Sequence, residues 1–298
     1  MKFLKNRIKF VTIFSFIILL VSFLITINLP DNKLHIVFCD VGQGDGILIK
    51  TPKGNLIVID AGYDNKMKRC IEKNTPFYNK HISLAIISHL HADHIAGFIP
   101  LMGSHKIDRI LLNKLEYDTP EHRELTSQSK AKKQLSQGVW ATDKINYNKV
   151  ELDVLWPMVN SWNRSNGNWQ AYLDDLNDTS TVLLLTYHNI QVLFTGDANI
   201  STMDKVVESP LFSSKLKQNS IRILKYPHHG SRLSLSSKML TVFKSPIAVI
   251  SLGKKNTYGH PHKEVLDALK MHKFKVLRTD ELGSIEFITD GIKLWQAK

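Results

Sequence analysis

The stretch Ser88-His89-Leu90-His91-Ala92-Asp93-His94 constrains this chain more than any other, because four of the six residues from His89 to His94 can ligate a metal. It begins where the apolar run Leu84 to Ile87 gives out. His89, His91 and Asp93 are spaced by two, so in an extended segment they point the same way, while His94 faces elsewhere. One loop can therefore serve two ions. A single histidine in a polar turn needs no function, but imidazole and carboxylate at this density are the usual ligand set for zinc and similar ions.

A chain of 298 residues that is 43% hydrophobic can bury a proper core, which excludes a disordered protein. Lys and Arg outnumber Asp and Glu by 39 to 27, a net +12, which suits an anionic partner and is also compatible with ordinary solubility. Residues 1 to 9 are basic, with Lys2, Lys5, Arg7 and Lys9, and Phe10 to Leu29 follows without a charge. About 20 apolar residues cross a bilayer as a helix. A cleaved signal peptide competes with that reading, but Val21 to Pro30 offers no small-x-small site. We expect an uncleaved, single-pass signal anchor over residues 10 to 29, with the basic flank cytoplasmic and the rest outside the cell membrane. Cys39 and Cys70 have no CxxC partner, and sequence does not say whether they pair.

Leu34 to Phe38, Ile47 to Lys50 and Leu56 to Ile59 read as successive strands of a meander. Between the first two, Asp40-Val41-Gly42-Gln43-Gly44-Asp45-Gly46 lacks the Lys-Ser/Thr of a phosphate loop, and no helix follows. The third strand ends in Asp60-Ala61-Gly62. His94 to Leu101 reads as a helix and Arg109 to Leu112 as a strand. From residue 113 to 177 the periodicity collapses. This stretch holds four of the five tryptophans, and only Val150 to Leu155 looks strand-like. It reads as an irregular insertion over the site mouth, with simple surface packing as the alternative.

Regularity returns with a hairpin, Thr181 to Tyr187 and Ile190 to Thr195, which runs into Gly196-Asp197. Ile223 to Tyr226 runs into Pro227-His228-His229-Gly230-Ser231. Pro246 to Ser251 is a strand, Lys263 to His272 a helix, and Ile285 to Ile288 with Ile292 to Trp295 a closing hairpin. Asp60, His89, Asp197 and His229 all sit where strands end, as a site at one edge of stacked sheets requires. The pattern implies a two-sheet α/β core flanked by helices, without a linker, over residues 34 to 298.

The Ser88 to His94 segment resembles the signature loop of the metallo-β-lactamase fold, an αββα sandwich. The resemblance narrows on Asp40-Val41-Gly42-Gln43-Gly44-Asp45, Asp60-Ala61-Gly62, Asn177-Asp178-Thr179-Ser180, Thr195-Gly196-Asp197, Pro227 to Ser231 and Gly259-His260-Pro261-His262. Together these look like the extracellular hydrolase domain of the ComEC DNA-uptake family. The polytopic channel of that family is not part of the likeness, because the chain has one apolar span. Carried over, the resemblance implies that His89 and His91 hold one divalent ion, zinc or manganese, that Asp93 and His94 hold a second, and that Asp197 bridges them. His229 would be the remaining ligand and His228 would lie close to substrate, with the order within the doublet open. Asp60 would support the histidines. The histidine usual between the signature loop and the bridging aspartate is missing, with Asn177 to Ser180 in its place, so a single metal is compatible too.

Such an ion lowers the pKa of bound water from about 16 to about 7 and offsets charge on a phosphoryl group. Asp93, His228 and Asp60 are then the expected catalytic group, and Ser231, Arg232, Lys254, Lys255 and His260 the expected substrate contacts. Phosphoryl substrates are favoured by ten Lys or Arg between Lys205 and Lys255 against one acid, Glu208, although a solvated basic face would look the same. Three functions compete: a nuclease acting on DNA outside the membrane, a phosphorylcholine esterase or other phosphodiesterase acting on cell-wall polymers, and a non-catalytic surface-binding module. An open basic groove would mark the first and a closed pocket the second.

Overall fold

The computed structural model describes residues 7, 9–20, 29–113, 119–132, 134–158 and 175–297. In chain order the strands are β1 (Leu34–Phe38), β2 (Gly46–Lys50), β3 (Leu56–Ala61), β4 (His81–Ile82), β5 (Leu84–Ile87), β6 (Lys106–Ile107), β7 (Arg109–Leu112), β8 (Leu135–Gly138), β9 (Lys144–Tyr147), β10 (Val150–Trp156), β11 (Val182–Tyr187), β12 (Ile190–Phe194), β13 (Ile221–Lys225), β14 (Ile247–Ile250), β15 (Lys275–Arg278), β16 (Ile285–Thr289) and β17 (Leu294–Gln296). One sheet runs β17-β16-β1-β2-β3-β5-β7-β8 and the other β15-β14-β13-β12-β11-β10-β9, while β4 and β6 form a small separate pair.

The two large sheets face each other. Ile36 and Phe38 of β1 and Ile47 and Ile49 of β2 share one core with Leu183 and Leu185 of β11 and Val192 and Phe194 of β12. The intervening residues point outward beneath helices: Val37 and Leu48 pack with Met67, Ile71, Phe98 and Leu101, and Leu184 and Leu193 with Met203, Val206, Leu240 and Leu269. Both faces of each sheet are thus covered, giving the αββα order. It also explains why the strands read as continuous apolar runs instead of alternating.

The meander and the Ile190–Phe194 hairpin appear as expected, but the stretch from 113 to 177 is corrected. Its described part holds the helix Pro120–Ala131 and strands β8, β9 and β10, which extend both sheets. The helix has a cap that sequence carries, since Thr119 Oγ1 accepts from His122 N at 3.1 Å and Pro120 takes the first position. It buries only Leu125 and Ser129, which leaves almost no apolar period to detect. β8 and β9 are four residues each and take their partners from β7 and β10, so their signal lies in pairing. Trp162 and Trp169 lie outside the described residues. The expected helix from His94 is likewise two, Ala92–Ile95 and Phe98–Ser104.

A disulfide joins Cys39, just after β1, to Cys70 in the helix Lys66–Asn74, with Cα atoms 6.0 Å apart. Of the expected membrane span, residues 10–20 belong to a helical stretch with exposed apolar side chains such as Phe10, Phe14 and Phe16, and residues 21–28 lie outside the described residues. Among the described residues no helix is long and apolar enough to cross a membrane.

Register places the site. β3 runs parallel to β5, and β12, β13 and β14 are mutually parallel, so their C-terminal ends gather at one edge. β1 and β2 are antiparallel with Phe38 opposite Ile47 and His35 opposite Lys50, so the chain enters β1 at the far edge.

Candidate metal centre

Asp60 closes β3 in a left-handed conformation (φ 54°) and is buried. It accepts hydrogen bonds from Ser88 N at 2.8 Å, Ser88 Oγ at 2.6 Å and His94 Nδ1 at 2.8 Å. Ser88 follows the neighbouring strand β5, so one carboxylate ties the two strand ends together and fixes the His94 ring. That leaves His94 Nε2 facing the second sheet, 3.3 Å from Asp197 Oδ2. His89 is fully buried beside it, with ring centroids 4.1 Å apart, and His91 Nδ1 lies 3.0 Å from His89 Nε2.

Asp197 follows β12. Its approach to the first sheet depends on Gly196 (φ 50°), where a Cβ would stand 2.9 Å from Ser88 Cβ. Asp197 N donates to Ser180 Oγ at 3.0 Å, so the segment that replaces the missing histidine holds the aspartate loop. After β13 the backbone at His228 (φ 48°) and His229 (φ 53°) is left-handed twice in succession, the kind of strain that persists at functional sites. It splits the doublet. His229 turns inward, is held through Nδ1 by Ser251 O at 2.9 Å, and points Nε2 at Asp197 Oδ2 (3.2 Å) and Asp93 Oδ2 (3.4 Å). His228 keeps 19% of its side chain exposed and stands 4.0 Å from Asp197 Oδ2.

The charges follow from this packing. Burial opposes charge on Asp197 and Asp93, but the adjacent His229 and His94 outweigh it and hold both carboxyls low. Burial likewise opposes charge on His94 and His229, yet Asp197 and the neighbouring carboxylates raise both, His229 to about 10. His89 is pushed well down by burial and by the adjacent His94, which outweigh Asp197 and Asp93, and Asp60 is pushed up by burial.

His94 Nε2, His229 Nε2 and Asp197 Oδ1 are buried without hydrogen-bond partners, although buried polar atoms are nearly always satisfied. Ligand atoms of His89, His94 and Asp197 lie within 4.8 Å of one another, as do those of Asp93, His94 and His229 and those of Asp45, Asp60 and His94. Converging, unsatisfied imidazole and carboxylate atoms fit a divalent ion. The grouping differs from the sequence expectation. His89 associates with His94 and Asp197, and His91 belongs to none of these clusters, its ring turned onto His89.

Asp93, Asp197 and His229 open into a cavity of about 330 Å³ whose wall includes Gln43, His91, Asn177, His228, Tyr258 and His260. Burial, with His228 and His229 nearby, lowers His260 to about 4. Of the expected substrate contacts only His260 lines this cavity. Ser231 Oγ instead accepts from Leu233 N at 3.3 Å, and Arg232, Lys254 and Lys255 are exposed outside it. The basic stretch is not one groove. Lys215 pairs with Asp153 at 2.6 Å, Lys238 with Glu208 at 2.6 Å, Lys205 covers Trp156, and Lys225 is fully buried. Sequence reasoning missed Asp45, Asn177, Lys225 and Tyr258. Asp45 and Asn177 lie in segments that carry the family resemblance, but the sequence assigns neither a role of its own.

Two covered sheets with a His and Asp cluster at the strand ends define a metallo-hydrolase fold. A family model described as metallo-beta-lactamase superfamily matches residues 39–254, and the chain belongs to that superfamily. Among curated relatives, the chain is 26% identical over 267 residues to ComE operon protein 3 of Bacillus subtilis (strain 168), covering 83% of this chain and 32% of that protein. It is also 26% identical over 262 residues to competence protein ComA of Neisseria gonorrhoeae, covering 87% of this chain and 33% of that protein. The chain thus spans about a third of these relatives, and the ComEC-like resemblance extends over most of it. Solved structures share the fold: the metallo-beta-lactamase fold protein YhfI from Bacillus subtilis (TM-score 0.53, 11% identity, 89% of this chain and 100% of that one), and Igni18, a metallo hydrolase from Ignicoccus hospitalis (TM-score 0.51, 14% identity, 86% and 98%).

Proposed function

We propose that the chain is a metal-dependent phosphodiesterase that cuts nucleic-acid strands outside the membrane. The observation that carries this reading is the pair of unsatisfied nitrogens, His94 Nε2 and His229 Nε2, facing Asp197, which with His229 and Asp93 lines the cavity. His94, whose Nδ1 is taken by Asp60, would hold one ion through Nε2, with His89 and Asp197 or with Asp93 and His229 beside it, and His91 lies at the rim. When bound, such ions supply an activated water and positive charge against a phosphoryl group. Asp60 orients His94, His228 stands at the cavity wall to meet the substrate, and Arg232, Lys254 and Lys255 lie on the exposed surface that a longer anion would follow. The likeness to competence proteins supports DNA as the polymer.

A second reading, an esterase for small phosphorylated head groups of wall polymers, is favoured by the cavity's modest volume of about 330 Å³. Purified protein incubated with single- and double-stranded DNA and with bis-p-nitrophenyl phosphate, in zinc and in manganese, separates the two. Hydrolysis of the small diester without binding or cutting of DNA at low salt refutes the nuclease and moves the assignment to the esterase.

The same reading places the domain outside the cell on an anchor over residues 10–29. The basic flank supports the orientation, and a disulfide between Cys39 and Cys70 suits an oxidising compartment. The chain enters β1 at the edge opposite the metal cluster, so an anchored domain would turn its site away from the bilayer. Protease added to intact cells should remove the domain, and full protection would refute this topology.

A further inference from the structure

Lysine is almost never fully buried unless paired, and Lys225 has no exposed surface. It is the last residue of β13. Ile223 belongs to the core between the sheets and Leu224 to the outer one, so Lys225, two residues after Ile223, also points between the sheets. There its Nζ meets Oδ2 of Asp45, the residue before β2 of the opposite sheet. Nζ also donates to Gly196 O at 3.1 Å and lies 3.9 Å from Asp197 Oδ1. Asp45 is equally buried, and its Oδ1 lies 3.7 Å from His229 Nδ1.

The placement matters because the centre is assembled from halves. Asp60, His89, Asp93 and His94 come from the ends of β3 and β5 in one sheet, and Asp197 and His229 from the ends of β12 and β13 in the other. Lys225 and Asp45 span the gap directly beside both second-sheet ligands. On the Asp45 side the loop is clamped as well, since Gly62 N donates to Asp45 O at 2.8 Å and Gly44 lies so close to Asp93 that a Cβ would meet its carbonyl oxygen at 1.9 Å.

Building on the metal-hydrolase reading, we infer that Lys225 and Asp45 form a strut between the sheets that sets the separation of the two half-sites and so positions Asp197 and His229 for the metal. They are positioning residues. A buried ion pair is weak ground for stability, since well-packed apolar residues of similar volume often replace one without loss, whereas removing one partner strands a buried charge. Stability and positioning can therefore be separated by experiment.

The test uses the full chain with Lys225→Met, Asp45→Leu and both together. Two quantities are read: the melting temperature of the metal-free protein, and zinc and manganese affinity by competition with a fluorescent chelator. Each single variant should melt lower. The double variant should regain most of the melting temperature yet bind metal at least about tenfold more weakly, as loss of groups that orient ligands does. Should it not fold, Lys225→Gln with Asp45→Asn takes its place, because Gln is one bond too short to span the gap, and the same loss is expected. Parent-like affinity in a folded double variant overturns the strut while leaving the metal site standing. If the parent itself takes up neither ion, the metal-hydrolase reading falls and the strut with it.

Discussion

His94, carried by the first sheet, places its Nε2 3.3 Å from Oδ2 of Asp197, carried by the second. The two meet because Asp60 holds His94 from behind at 2.8 Å and because Gly196 lets the Asp197 loop close against Ser88. His94 belongs to all three three-ligand clusters, and Asp197 and His229 bring the opposite sheet into two of them.

Asp197→Ala should remove more metal and more turnover than His89→Ala, because Asp197 faces both His94 and His229 whereas His89 has His91 beside it. Asp60→Asn, which touches the metal only through His94, should weaken metal affinity about 10- to 100-fold. Metal analysis of the three purified variants checks the order, and full occupancy in Asp197→Ala contradicts it.

In metal-free protein the carboxylates raise His94 and His229, the latter from its usual 6.5 to about 10. The sign is that of a raised histidine. Its contribution to apo stability is full below pH 6.5 and disappears as pH rises toward about 10. A metal needs the neutral ring, so its affinity should climb over the same interval and its binding near pH 7 should release protons. Calorimetry in buffers of different ionisation enthalpy measures that release. No dependence on the buffer would show that these rings do not meet the ion.

If exposed lysines and arginine hold a strand, affinity for single-stranded DNA should fall with log salt by roughly 0.7 per phosphate contact. Replacing Arg232, Lys254 and Lys255 by Gln should flatten that slope and raise KM for DNA. Hydrolysis of bis-p-nitrophenyl phosphate should change little, because none of the three lines the cavity. An unchanged slope places the strand elsewhere.

The Cys39–Cys70 disulfide closes a loop with a sequence separation of 31. In the chain-entropy picture its loss costs about 4 kcal/mol, or a fall in Tm of about 10 °C for a domain of this size. Cys39→Ser with Cys70→Ser should show that fall in a thermal melt without reductant. An unchanged Tm would mean that the bond contributes nothing to the folded state.

The sequence alone carried what local chemistry encodes. Strands buried on both faces are continuous Ile, Val and Leu runs whatever they pair with, and four ligands within His89 to His94 are recognisable before any fold exists. The same holds for Asp60, Asp197 and the His228-His229 doublet, each legible as a polar residue at a strand's end. What lay beyond it depended on partners distant in the chain. The short strands β8 and β9 exist because β7 and β10 offer their edges. The inward turn of His229 was decided by backbone handedness and by Ser251 O. Lys225 looked like one more surface charge among ten, and only the stacking of two sheets could bury it against Asp45, 180 residues earlier in the chain. Periodicity reports which face of an element is apolar, but the meeting of two side chains across a sandwich is a property of the packed sheets.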